Sequence, residues 1–346
     1  MREESGEQVA RVVALLAGLP EVGLGKQVRI QACTMVLVTL ARILSDQNRN
    51  PYPLLSNTLN YCEALAEGAR IIVPELDIQR FSREAELGEH DRAINMFENA
   101  WTSYSDDTYD HSVTLVRERL FASGYDETFF KGKTCFDGGC GTGRLALVMA
   151  LAGAEKVVAA DMGGASLEYF SRVLDRYGVH NVDIVEQDVT DLTRWNSGVF
   201  DFVASNGVLH HTRYPDRGIK EHFRITKTGG VFWLYLYGAG GFYWEVYDSF
   251  KPLLNAINPS DIRQSLFVMG VREGLIYTFL DNLLAPRVYY YLDDILSMLQ
   301  GEGEFEWRHA KGRSEIDDTE KVLASQYGVQ ILGPQGEVRI SVKKLS

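Results

Sequence analysis

The spacing of apolar residues changes character near Lys133. Before it, apolar positions recur three and four apart, as in Val9, Val12, Val13 and Leu16, and again in Val28, Met35, Val38 and Ile43. That spacing lines one face of a helix and predicts helix over residues 7–48, interrupted between Gly18 and Gly25. Pro51-Tyr-Pro53 reads as a break and 58–69 as a further helix. Residues 74–89 read as a polar linker, and 92–100 and 112–123 as helices again. There is no internal repeat or low-complexity tract.

After Lys133, short apolar runs alternate with helical stretches of about ten residues. The runs are 134–137, 156–161, 182–188, 200–205 and 230–235, and two of the helices are 144–152 and 166–177. Strand and helix in alternation predict an α/β fold with a doubly wound, mostly parallel sheet. Ligands of such sheets bind at the carboxyl ends of the strands. Asp137, Asp161 and Asp188 all stand at such ends. Further on, 252–284 is helical in pattern and 295–301 reads as a helix. Residues 329–342 alternate in the manner of a hairpin turning at Gly333-Pro-Gln-Gly336, which would supply a sixth and a seventh strand.

Composition narrows the functional classes. The 346 residues carry 35 Lys+Arg against 47 Asp+Glu, a net charge of −12, which disfavours the broad basic face that nucleic acids require. Four cysteines (Cys33, Cys62, Cys135, Cys140) form no C-x-x-C pair. Neither a zinc site nor a disulfide framework is expected, no metal is called for, and a reducing, cytoplasmic compartment fits. The most apolar early run, 32–44, is interrupted by Arg42 and falls short of the roughly 20 residues that span a bilayer. The first residues are acidic where a signal peptide is basic and then apolar. A protein with no membrane segment is expected.

The segment Asp137-Gly-Gly-Cys-Gly-Thr-Gly143 decides the ligand class. A dinucleotide fingerprint G-x-G-x-x-G begun at Gly139 needs a glycine where Arg144 stands. An acid ahead of the glycines would also oppose a pyrophosphate. It suits a nucleoside with a positive charge. Here the chain resembles the class I S-adenosylmethionine-dependent methyltransferases, over residues 95–250. Asp137 with Gly139, Gly141 and Gly143 matches their first motif, and Asp161 lies twenty residues beyond Gly141. Gln187-Asp188-Val189 and the stretch from Phe200 to His211 match two more.

The resemblance implies a seven-stranded sheet and S-adenosyl-L-methionine as cofactor. The cofactor would be held by Asp137, Gly138, Gly139, Gly141, Gly143, Asp161, Met162, Asp188, Val189, Asn206 and Gly207. Asp161 would bridge the ribose hydroxyls, Asp188 would take the adenine amine, and Asn206-Gly207 would face the methyl donor. Asp161 also stands where it would cap a helix beginning near Ala165, and Asp188 where it would cap a turn at Asp191. Cys140 reads as a small packing residue. Residues 1–90 read as a helical extension or cap and 91–346 as the methyltransferase domain, with 242–290 as a substrate-cap insertion after the fifth strand.

Methyl transfer to a hydroxyl or protonated amine needs a base, and His211 and His210 follow the fourth strand. Trp101, Tyr104 and Tyr109 before the first strand, Tyr237 and Tyr243 after the fifth, and Arg287 are candidates for contacting the acceptor. The expected partner is a small molecule, a sugar or secondary-metabolite scaffold, with the N-terminal helices available for a homodimer. Methylation of protein or tRNA, and a non-catalytic S-adenosylmethionine-binding module, are the alternatives.

Overall fold

A computed structural model describes residues 2–20, 23–45, 50–72, 102, 104–239, 259–268, 276, 280, 285–309 and 338–346. Its sheet strands are β1 (Thr134–Gly138), β2 (Lys156–Asp161), β3 (Val182–Glu186), β4 (Phe200–Asn206), β5 (Thr226–Leu236), β6 (Phe305–His309) and β7 (Val338–Lys344). They form one seven-stranded sheet in the order β3-β2-β1-β4-β5-β7-β6. The first five are parallel and β7 runs antiparallel to both β5 and β6. From β1 the chain goes outward to β2 and β3, then returns to place β4 on the other side of β1. The crevice at that reversal is where such sheets take ligands.

Alternate side chains of each strand feed two cores. On one face Cys135, Val157, Ala159, Phe202, Ala204 and Trp233 pack under α4 (Asp106–Ala122), α6 (Arg144–Leu151) and α7 (Gly164–Tyr177). On the other, Phe136, Val158, Val203, Phe232, Leu234 and Ile340 pack under α8 (Pro215–Ile225) and α10 (Leu292–Gln300). The one-turn α5 (Glu127–Phe130) leads into β1, its N-cap Asp126 accepting from Thr128 and Phe129.

The remaining helices are α1 (Arg2–Ala17), α2 (Gly23–Ser45), α3 (Pro51–Ile72) and α9 (Pro259–Val268). Pro51 opens α3 instead of breaking the chain, because the first turn of a helix has no use for its missing N–H. α4 begins at Asp106, earlier than its apolar spacing shows, since Ser105 caps it by accepting from the Thr108 N–H.

Among the described residues, the sixth strand precedes the 329–342 stretch. It is Phe305–His309, paired with β7. Its exposed run from Glu306 to Arg308 hides it from an apolar count. Residues 310–337, including the Gly333–Gly336 turn, lie outside the described residues.

The chain separates into two compact units. One comprises 1–88, 241–285 and 316–332, and the other 89–240, 286–315 and 333–346. The stretch 242–290, read from sequence as part of the methyltransferase domain, is thus divided at Ala285: its larger part groups with the N-terminal helices, where α9 packs on α2. In that unit α1 and α2 pack on α3 around Val12, Leu16, Leu37, Leu40, Leu59 and Cys62, and the Thr39 and Thr58 hydroxyls meet at 2.6 Å. Among the described residues no helix is long and apolar enough to cross a membrane.

Candidate active site

The carboxyl edge of the sheet holds the site, beginning with the turn from β1 into α6. Gly141 has φ 52° and a β-carbon there would meet nothing within 4 Å, so the middle of the loop presents bare backbone to open space. Gly143, at φ 78°, caps α6, and a β-carbon on it would lie 2.1 Å from the Phe170 ring. The first glycine answers to a different neighbour. Any side chain at Gly138 would collide with His222 Nε2 of α8, at 1.9 Å. His222 is fully buried between Phe136 and Phe232, its Nδ1 donates to the Gly218 carbonyl at 2.7 Å, and burial lowers its pKa to about 4. It is a neutral wedge behind the loop.

Two acids clamp this loop. Asp137 is buried and accepts from the Ala146 N–H in the first turn of α6 at 3.0 Å. Burial, and next to it the charge of Asp161, push its pKa up to about 7, against the pull of the Ala146 bond and Arg144. A cation arriving beside it favours the ionised form. Asp161 closes β2: one carboxylate oxygen accepts from the Gly141 N–H at 2.8 Å, the other from the Gly163 N–H at 2.9 Å. A carboxylate oxygen can accept more than one hydrogen bond, so the same group that fastens the loop suits hydroxyl donors as well. Met162 beside it is exposed.

Asp188 lies past β3, exposed, with Oδ1 engaged by both the N–H and the hydroxyl of Thr190 at 2.8 Å. The turn-capping role is thus present, and Oδ2 is the oxygen that an amine would meet. Val189 is buried in the core below.

On the other side of β1, Asn206 ends β4 and its Oδ1 accepts from Arg119 Nη1 of α4 at 3.0 Å. Gly207 follows at φ 77° and donates to the Tyr235 carbonyl at 2.9 Å. A single 3₁₀ turn, Leu209–His211, then carries both histidines. His211 Nδ1 lies 2.7 Å from the Pro286 carbonyl. A carbonyl only accepts, so Nδ1 holds the proton and Nε2 carries the lone pair. His210 is fully buried against His211 and Tyr237, with ring centroids 4.0 and 4.1 Å away. Burial, reinforced by His211 and Arg287, keeps its pKa well below the usual value and its ring neutral. Neither of its nitrogens has a hydrogen-bond partner among the described residues.

The acceptor candidates distribute unevenly. Tyr237 is buried beside both histidines, and the Arg287 guanidinium lies 5.9 Å from its ring centroid. Tyr109 is fully buried and its hydroxyl donates to the Thr142 carbonyl at 2.8 Å, supporting the glycine loop from behind. Tyr104 packs near it, its carbonyl 3.5 Å from the Tyr169 hydroxyl. Trp101 and Tyr243 lie outside the described residues.

Two contributors escape a reading by motif. Arg119 belongs to a helix that shows no site pattern, and Arg339 interrupts the apolar alternation of β7 as a charge between Val338 and Ile340. That interruption is the signal that could have found it.

Residues 136–234 match the family model of the methyltransferase domain. That match covers less than a third of the chain and describes this segment as a methyltransferase domain; the sheet it belongs to is seven-stranded and mostly parallel. The chain is 33% identical over 99 residues to the ubiquinone biosynthesis O-methyltransferase of Acinetobacter baylyi. The match spans 29% of this chain and 41% of that enzyme, so the chain covers less than half of its curated relative. Among solved structures, the YcgJ protein from Bacillus subtilis aligns at 16% identity and a TM-score of 0.44, covering 68% of this chain and 99% of that one. Magnesium protoporphyrin IX methyltransferase from Synechocystis aligns at 16% identity and a TM-score of 0.41, covering 68% of this chain and 82% of that one.

The residues present fit S-adenosylmethionine, the family's cofactor. Its sulfonium and ammonium groups suit a buried acid poised near pH 7, its ribose diol suits the Asp161 carboxylate, and open space over Gly141 leaves room for it.

Proposed function

We propose that the chain is a methyltransferase that moves a methyl group from S-adenosylmethionine to a hydroxyl or amine of a small molecule. The bound donor supplies an electrophilic methyl group on a good, neutral leaving group. Asp137 and Asp161 hold its charge and ribose, and Asn206 and Gly207 position its reactive end at the tip of β4. The observation that carries the acceptor chemistry is the bond from His211 Nδ1 to the Pro286 carbonyl. It aims a basic nitrogen from the turn just beyond β4, so His211 takes the proton that an acceptor hydroxyl or ammonium must lose. Tyr237 and the neutral His210 ring pack the imidazole in place. Alignment at near-attack distance supplies much of the remaining acceleration.

A small acceptor is supported by the acidic balance of the chain and by the aromatic enclosure at the ends of β4 and β5. Four separate buried thiols suit a reducing cytoplasm.

The test is His211→Ala. Loss of the base should lower kcat by about 100- to 10,000-fold near neutral pH, with the deficit shrinking as pH rises and the acceptor loses its proton unaided. Turnover within a few-fold of the parent at every pH would remove the base from this reading.

A further inference from the structure

Two stretches of chain, far apart in sequence, are bonded to each other beside the base. The first is the 3₁₀ turn with His210 and His211, followed closely by α8, whose first turn holds Asp216. The second is the strap 286–290, where the chain re-enters this unit after 241–285. Its Pro286 carbonyl meets His211 Nδ1 at 2.7 Å, the Val288 N–H donates to the His210 carbonyl at 2.9 Å, and the Tyr290 hydroxyl donates to Asp216 Oδ1 at 2.6 Å. Tyr290 also joins the chain beyond β5, its N–H donating to the Tyr237 carbonyl at 3.1 Å and its carbonyl accepting from the Ala239 N–H at 2.9 Å. Tyr291 then caps α10. Two of the bonds between the stretches join an N–H to a carbonyl. The third pairs a phenol with a carboxylate, and its 2.6 Å is the length of a charge-assisted bond, roughly twice as strong as a neutral one. Tyr290 is 5% exposed and packs in the core under α8 and α10, so its hydroxyl needs a partner. Burial, and next to it the Asp216 bond, raise its pKa, so it stays protonated and donates.

We infer that Tyr290 is a positioning residue for the base: its bond to Asp216 ties the strap to the helix that follows the histidines, and so holds the Pro286 carbonyl against His211 Nδ1. An imidazole otherwise exchanges its proton between its two nitrogens. A fixed carbonyl at Nδ1 keeps the proton there and leaves Nε2 as the basic atom. Pro286 cannot supply that fixity itself, because a backbone carbonyl goes where its strap goes. Within this unit its covalent support comes from the C-terminal side, where Tyr290 is anchored by backbone and side chain together. This inference rests on the methyltransferase reading with His211 as base, and deepens it: the residue that selects the base's tautomer lies on the strap, out of reach of the proton that is moved.

The test is nitrogen NMR of the histidine rings at a pH where they are neutral, with the His211 signal identified by its loss in His211→Ala. Wild-type protein should show His211 mainly as the Nδ1–H tautomer. Tyr290→Phe and Asp216→Ala should each lower its ratio of Nδ1–H to Nε2–H by about threefold to tenfold, the scale of one lost hydrogen bond. Asp216→Asn, whose amide oxygen still accepts from the phenol, should stay within about twofold of the parent. S-adenosylhomocysteine affinity, read by calorimetry, should hold within about twofold in all three. If Tyr290→Phe fails to fold, the exposed Asp216→Ala carries the test. A ratio unchanged in both variants overturns the inference. So does a loss in Asp216→Asn equal to that in Asp216→Ala, which would assign the effect to charge at the helix end. His211 found mainly as Nε2–H in wild-type protein would sink the base reading and the inference with it. A tautomer that responds to these changes in a protein that takes no S-adenosylhomocysteine would keep the strap and sink the donor reading instead.

Discussion

The two halves of the sheet's carboxyl edge are built by different means. The β3-β2-β1 half is assembled locally: a glycine turn, an acid at the end of each neighbouring strand, and hydrogen bonds such as Asp161 to the Gly141 N–H that lock one turn to the next. The β4-β5-β7 half is assembled from afar. Arg119 reaches Asn206 across 87 residues of sequence, His211 meets Pro286 across 75, and Arg339 joins Tyr235 through strand register. A ligand common to many enzymes is held by backbone turns that tolerate little change. A ligand particular to one enzyme is held by side chains that different helices and strands can supply.

If that contrast is right, damage to the first half should abolish donor binding, and damage to the second away from Asn206 and Gly207 should spare it. The largest effect is expected at Gly143. Alanine there combines a left-handed backbone with a collision against Phe170, and should cost about 3 kcal/mol of stability, seen as a lower thermal midpoint together with lost donor binding. Next comes Asp161→Ala, which removes the ribose acceptor and frees the Gly141 N–H. Donor affinity should fall by about 1–3 kcal/mol in calorimetry, and an unchanged affinity would break the assignment of this acid.

The smallest effect is one of pH. Asp137 holds its proton to about pH 7 in the folded protein, and the bound cationic donor favours the ionised carboxyl. Donor affinity should therefore rise from pH 6 to pH 8, by up to about tenfold, and Asp137→Asn should flatten the slope. Stability should move the other way. The unfolded chain ionises this residue near pH 4, well before the folded one, so apo protein loses stability relative to Asp137→Asn as pH climbs from about 4 to about 7.

The same contrast explains what could be read from the chain. β2 was legible at both ends, Lys156 and Asp161, because a strand buried on both faces is one apolar run and stops at its ligand acid. The glycine turn was legible because the backbone angles at Gly141 and Gly143 favour one residue type. β6 was not, since an edge strand exposed from Glu306 to Arg308 shows little alternation. Pro286 had no legible role at all: it acts through a carbonyl, which every residue owns, and only the fold brings it to His211. His222 was overlooked because a histidine on a helix reads as surface until the sheet is laid against it.

The most direct measurement is a calorimetric titration of the wild-type chain with S-adenosylmethionine at pH 8. The account predicts one site per chain, weakened in Asp161→Ala and unchanged in Arg339→Gln. No binding at millimolar donor, or affinity that falls in Arg339→Gln and holds in Asp161→Ala, would contradict it.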